Sequence, residues 1–81
     1  MTPEQADQRI ILSRRTFHAL AGAFGAGDMA PEALPGYRQQ ITAEVVILTQ
    51  LAEEHPGKAH KVSNLIERYR VLSDHMLLRQ N

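Results

Sequence analysis

The sequence predicts an all-α protein of three helices, over about residues 3–23, 36–55 and 58–79. In each segment the apolar residues recur at the three- and four-residue spacing of a helix rather than in strand-like alternation. Two breaks separate the segments, a connection rich in glycine and proline over residues 25–35 and the turn Pro56-Gly57. Because the second link is so short, the last two helices are expected to form an antiparallel αα-hairpin.

The first predicted helix carries a start signal and a stop signal. Thr2 suits the N-cap, Pro3 suits the first helical position, and Gln5 stands where a capping box places Glu or Gln. Glycines from Gly22 to Gly25 predict its end, because glycine readily takes the left-handed conformation that closes a helix. Ser13 interrupts the apolar stripe. The residues of this stripe are Ala6, Ile10, Phe17, Leu20, Ala21 and Phe24.

The second predicted helix has an apolar band wider than one neighbouring helix needs. Its main stripe is formed by Tyr37, Ile41, Val45, Leu48 and Ala52. The β-branched residues at 45–47 would also suit a strand, but the stripe keeps helical register over about four turns. Ile47 and Leu51 widen the band on one flank. We therefore expect Val46, Ile47 and Leu51 to contact a partner.

The third predicted helix has one apolar face and two further apolar residues nearly opposite to it. The face, about 120° wide, is formed by Val62, Leu65, Ile66, Tyr69, Leu72 and Met76. Val71 and Leu78 lie on the other side, and we interpret them as a second part of a contact surface. The alternative is that they are two scattered exposed aliphatic residues, which are common on protein surfaces.

Composition bounds the classes of function. A domain of 81 residues has a small core, worth roughly 3–5 kcal/mol, and chains of this size often add a disulfide, a metal or a partner. There is no cysteine, so a homodimer or a partner helix is the expected supplement. The polar N-terminus does not resemble a signal peptide, and the longest apolar run is too short to span a membrane, which predicts a cytoplasmic protein.

Charge and histidine spacing favour neither catalysis nor a cofactor. Nine basic residues balance nine acidic ones, and no histidine pair has metal-binding spacing, so we predict no metal and no cofactor. A nucleic-acid-binding regulator is an alternative, because basic residues cluster in two regions. However, Glu67 and Asp74 interleave with them, which indicates a charge-paired helix face. The basic residues concerned are Arg14, Arg15, Lys58, Lys61, Arg68 and Arg70.

The stretch FHALAGAFGAGDM, residues 17–29, contains a second alternative. The run His18-Ala19-Leu20-Ala21-Gly22-Ala23 resembles the motif of histidine-phosphotransfer domains, which reads His-x-Leu-Lys-Gly followed by a small residue. This resemblance implies a four-helix bundle in which His18 accepts a phosphoryl group and Gly22 leaves room for a receiver domain. Arg14 would supply positive charge, but the motif's lysine is Ala21 here. Our preferred interpretation of the same stretch is the end of a helix followed by a hinge.

The expected function is a non-enzymatic interaction module, such as a small chaperone, an adaptor or a regulatory subunit. Small helical-hairpin chaperones of bacterial secretion systems are similar in size and character, although no motif here identifies one. The partner-binding residues we predict are Val46, Ile47, Leu51, Val71 and Leu78.

Overall fold

The computed structural model describes residues 1–80 and confirms the all-α prediction. Its elements are α1 (Pro3–Gly25), α2 (Leu34–Glu54) and α3 (Ala59–Gln80), with short 3₁₀ turns at Pro31–Ala33 and Pro56–Lys58. The described part of the chain contains no strand. The helices form a rod with extents of 39 × 17 × 17 Å. Each predicted helix boundary lies within two residues of the observed one.

The start and end of α1 follow the local sequence. The Gln5 amide donates to Thr2 Oγ1 at 3.1 Å and the Thr2 amide donates to Gln5 Oε1 at 2.9 Å, which is the predicted capping box. At the other end the Gly27 amide donates to the Phe24 carbonyl and the Asp28 amide to the Ala23 carbonyl. This pair of bonds is a Schellman motif, and the residue that takes the left-handed conformation is Gly27, with a φ of 76°.

The connection from α1 to α2 is anchored to the core at one point. Met29 is buried, and the turn Pro31–Ala33 runs directly into α2 at Leu34. Pro35 therefore lies in the first turn of α2, where its missing amide hydrogen is not needed. For this reason α2 begins two residues before the predicted start at residue 36.

The helices run up, down and up, so that α1 is parallel to α3 and antiparallel to α2. Lys58 Nζ donates to Asp7 Oδ1 at 2.7 Å, which joins the hairpin turn to the beginning of α1. The hydrogen bond from Lys58 lowers the pKa of the Asp7 carboxyl from its ordinary value. Farther along, Arg79 near the end of α3 contacts Phe24 near the end of α1.

The core lies along the axis of the bundle and is formed by residues of the three predicted stripes together with Met29 and Leu34, which lie outside those stripes. Leu51 also belongs to this core, with 2% of its surface exposed, which corrects the prediction that it contacts a partner. Leu51 turns inward because α1 and α3 pack on both sides of the α2 stripe. The buried apolar residues are Ala6, Ile10, Leu20, Phe24, Met29, Leu34, Ile41, Leu48, Leu51, Val62, Leu65, Tyr69, Leu72 and Met76.

Two further polar contacts attach α1 to the hairpin. Ser13, which interrupts the apolar stripe, is fully buried and pairs with Tyr69. The Tyr69 hydroxyl donates to the Ser13 carbonyl at 2.6 Å and accepts from the Ser13 hydroxyl at 3.2 Å. On the α2 side, Arg9 Nη2 donates to Glu44 Oε2 at 2.8 Å. The break in the stripe is thus a specific contact between α1 and α3.

Candidate interaction groove

An apolar groove runs between α1 and α3, on the side of the bundle away from α2. Its volume is about 500 Å³. We call it the α1–α3 groove. Most of the residues that line it are apolar or small, and its charged residues come from α3. The lining residues are Phe17, Ala21, Phe24, Gly25, Glu67, Arg68, Val71, Leu72 and His75.

The groove exists because α1 places small residues where α3 places larger ones. Ala21 and Gly25 stand one turn apart on α1, and a Cβ added at Gly25 would meet no atom within 4 Å. Phe17 packs edge-on against Tyr69, with ring centroids 5.3 Å apart. Consequently α1 and α3 touch through aromatic side chains and leave a depression above the small residues.

The groove continues toward the ends of α1 and α3 as a pocket of about 380 Å³, lined by Phe24, His75, Leu78 and Arg79. Arg79 is held in place there. Its guanidinium lies 4.1 Å from the centroid of the Phe24 ring, and its Nη1 donates to the Phe24 carbonyl at 2.8 Å. Leu78 is 75% exposed and Val71 is 44% exposed. Both predicted contact residues of the third helix therefore border this groove.

The opposite end of the groove is basic. A cleft of about 230 Å³, which we call the basic cleft, adjoins the groove at Arg68, and its residues are Arg14, Lys61, Asn64, Leu65 and Arg68. Within residues 1–80 the two salt bridges are Arg9–Glu44 and Lys58–Asp7. The three cations of the basic cleft thus form no ion pair within the described chain. They are available to a negatively charged ligand.

The other predicted contact residues lie on a different side of the molecule. Val46 and Ile47 are 52% and 38% exposed on the side of α2 away from its core stripe, which we call the outer face of α2. Val46 also borders a shallow depression between α2 and α3 that includes Arg70 and Asp74. The predicted residues therefore form two separate surfaces, with Leu51 in neither.

His18 lies on the exposed surface of α1. Its ring stands edge-on to that of Phe17, with centroids 5.7 Å apart. Gly22 follows one turn later, and a Cβ added there would meet no atom within 4 Å. The described chain has three helices, whereas the resemblance implied a four-helix bundle. Phosphoryl transfer through His18 stays a hypothesis.

Sequence reasoning missed the basic cleft, although a signal for it is present. Lys61, Arg68 and His75 recur every seven residues and therefore lie along one line of α3. Glu67 and Asp74 were expected to pair with these basic residues. Asp74 instead belongs to the depression between α2 and α3, and Glu67 lines the α1–α3 groove beside Arg68 without a salt bridge to it. Arg14, from α1, completes the cleft only through the tertiary structure.

None of the helices within residues 1–80 combines the length and the apolar character that crossing a membrane requires. Residues 1–80 also contain no cluster of three or more His, Asp or Glu placed to hold a metal ion. Comparison with known proteins found no matching family model, no matching curated protein and no matching solved structure.

Proposed function

We propose that this protein is a non-enzymatic interaction module whose α1–α3 groove receives an amphipathic helix of a protein partner. The observation that carries the proposal is the groove itself, about 500 Å³ in volume and lined mainly by apolar side chains. A small chaperone, an adaptor or a regulatory subunit would use such a groove.

The exposure of the groove residues supports this function. Val71 and Leu78 are exposed. Burying a side chain of this size contributes about 1.5–3 kcal/mol, and a bound partner would gain this contribution. Exposed apolar residues that adjoin a concave, apolar surface are typical of a protein-binding site. A bound helix would cover these side chains and the floor formed by Phe17 and Phe24.

The length of the groove also suits a helix. From Lys61 in the basic cleft to Leu78 at the far end, α3 rises by about 25 Å, or between four and five helical turns. A partner helix in this position would make the bundle four-helical, with apolar residues every three or four positions facing the groove. The basic cleft would receive acidic residues of the partner.

Site-specific photocrosslinking tests the proposed function. A photoreactive amino acid replaces Val71 in the groove and, in a matched control, Leu12, which is 54% exposed on α1. After irradiation in the cells that make this protein, the Val71 variant should form a defined adduct with a protein, and the Leu12 variant should not. The adduct is measured by mass spectrometry.

Two results would contradict the proposed function. If the Val71 variant is folded by circular dichroism and yields no protein adduct, the groove is not a protein-binding site. An adduct of equal yield at Leu12 would show that crosslinking is unselective and would also contradict the proposal.

A further inference from the structure

We propose that the helix that occupies the α1–α3 groove is α2 of a second copy of this chain, docked antiparallel to α1 and α3. This inference rests on the proposed function, because it names the partner of the same groove. Its basis is a match between two surfaces of the molecule, the groove with its basic cleft and the outer face of α2.

The outer face of α2 combines apolar and acidic residues in sequence. Val46 and Ile47 are exposed, and seven residues after each of them come the exposed acidic residues Glu53 and Glu54. Residues seven apart lie on the same side of a helix, two turns from one another. This face therefore presents an apolar patch followed, about 10 Å farther along, by two carboxylates.

The groove presents the complementary surface, with basic residues followed by apolar ones, and on α1 the spacing is the same. On α1, Arg14 of the basic cleft precedes Ala21 of the apolar groove by seven residues, or about 10 Å. On α3, Lys61 and Arg68 precede the exposed Val71. If Val46 and Ile47 are placed over the apolar part, Glu53 and Glu54 reach the three cations, which have no ion pair of their own within residues 1–80.

The order of charges also determines the direction of the bound helix. In the groove the basic end comes before the apolar end along α1 and α3, whereas in α2 the apolar residues come before the acidic ones. The docked α2 must therefore run antiparallel to α1 and α3, as the α2 of the same chain does. Its C-terminus, which carries the negative end of the helix dipole, then lies at the basic cleft.

The two surfaces lie on opposite sides of the bundle, so the contact is head-to-tail. Each copy offers a groove to one neighbour and an α2 face to another, which makes the interface heterologous and able to extend beyond a dimer. The equal numbers of basic and acidic residues leave no net charge at pH 7 to keep the copies apart.

Blocked variants test this arrangement by analytical ultracentrifugation. Wild type should associate with rising concentration into species larger than a dimer. Val71→Glu blocks the groove and Val46→Glu blocks the α2 face, and each should raise the dissociation constant by at least about tenfold. An equimolar mixture of the two should form a one-to-one dimer that does not grow, because each has one intact surface. Leu12→Glu, at an exposed position off both surfaces, should associate as wild type does.

Charge reversals provide a second set of variants in case an apolar replacement disturbs folding. Arg68→Glu and Glu53→Lys should each weaken association alone. A protein carrying Arg68→Glu with a blocked α2 face should bind one carrying Glu53→Lys with a blocked groove, because the ion pair is restored with reversed signs. Glu32→Lys, outside both surfaces, is the control of equal charge change.

Three results would overturn the inference. Wild type that remains a monomer up to about 1 mM rules out a second copy as the occupant. Association that survives Val46→Glu but not Val71→Glu indicates a symmetric contact through the groove alone. If neither the mixture of the two blocked variants nor the mixture of the two charge-reversed variants forms a dimer, α2 is excluded as the helix that occupies the groove. If wild type is monomeric while the Val71 photocrosslinking variant still forms an adduct with another protein, the inference fails and the proposed function stands. If wild type is monomeric and the Val71 variant forms no adduct, both fail.

Discussion

The hydroxyl of Tyr69 lies in the core between α1 and α3, where it pairs with the hydroxyl and the carbonyl of Ser13. Both residues are fully buried. Burying a hydroxyl without a hydrogen-bond partner lowers the stability of the folded protein. Because each of these two side chains is the partner of the other, this loss of stability is avoided. Together they fix the register of α1 along α3.

Burial raises the pKa of Tyr69 above its ordinary value of 10.0, and this effect exceeds the opposing effect of the Ser13 hydrogen bond.

Tyr69→Phe should lower the free energy of unfolding by about 1–3 kcal/mol at neutral pH, because the Ser13 hydroxyl loses its partner. The mutation should also change the alkaline limb of the stability profile. In the unfolded chain Tyr69 ionises near its ordinary pKa of 10.0, and in the folded protein only at higher pH, so wild type loses stability as the pH rises through this range.

Urea denaturation followed by circular dichroism, repeated from pH 7 to beyond the ordinary tyrosine pKa, measures both effects. The difference in stability between wild type and Tyr69→Phe should narrow above the ordinary pKa of 10.0. A constant difference at all pH values would show that Tyr69 titrates alike in the folded and unfolded states.

At the scale of the element, the end of α1 depends on one glycine rather than on the whole glycine-rich stretch. Gly22 and Gly25 lie within the helix, whereas Gly27 follows it and adopts a φ of 76°. The sequence predicted a glycine stop over residues 22–25. It could not identify which of the glycines takes the left-handed conformation, because that depends on where the carbonyls of the last turn find donors.

Gly27→Ala and Gly22→Ala should shift stability in opposite directions. Alanine at position 27 must adopt the left-handed region, which costs roughly 1–2 kcal/mol. At position 22 it replaces an exposed helical glycine and should stabilise the protein by up to about 1 kcal/mol. Neither new Cβ meets an atom within 4 Å, so the pair isolates the backbone effect. Thermal melts measure it, and equal shifts would contradict the assignment of Gly27 as the helix stop.

At the scale of the whole molecule, the three stripes converge on one narrow core. Leu48 lies on the core stripe of α2 and is fully buried. Because the described chain is only 17 Å across in two dimensions, no second layer of residues supports this core. The loss of one central side chain therefore affects all three helices at once.

Leu48→Ala should lower the free energy of unfolding by about 2–5 kcal/mol. A small domain has little stability in excess of this, so the variant should be largely unfolded at 37 °C, as measured by circular dichroism. Leu12→Ala, which removes the same atoms from an exposed leucine, should change stability by less than about 0.5 kcal/mol. Similar losses in both variants would show that Leu48 is not at the centre of the core.

The sequence alone determined the number of helices, their approximate bounds, the capping box of α1 and the residues of the three stripes. These features depend on local spacing and on hydrogen bonds between residues close in the chain, such as Thr2 and Gln5. The burial of Leu51 was decided by tertiary structure, because the covered width of a stripe depends on how closely the neighbouring helices pack. The site was also decided there: Arg14 and Lys61 meet, and Phe17 and Val71 line one groove, only because α1 lies parallel to α3 at one register. The spacing of residues within one helix cannot predict that register, because the register depends on how two different helices pack against each other.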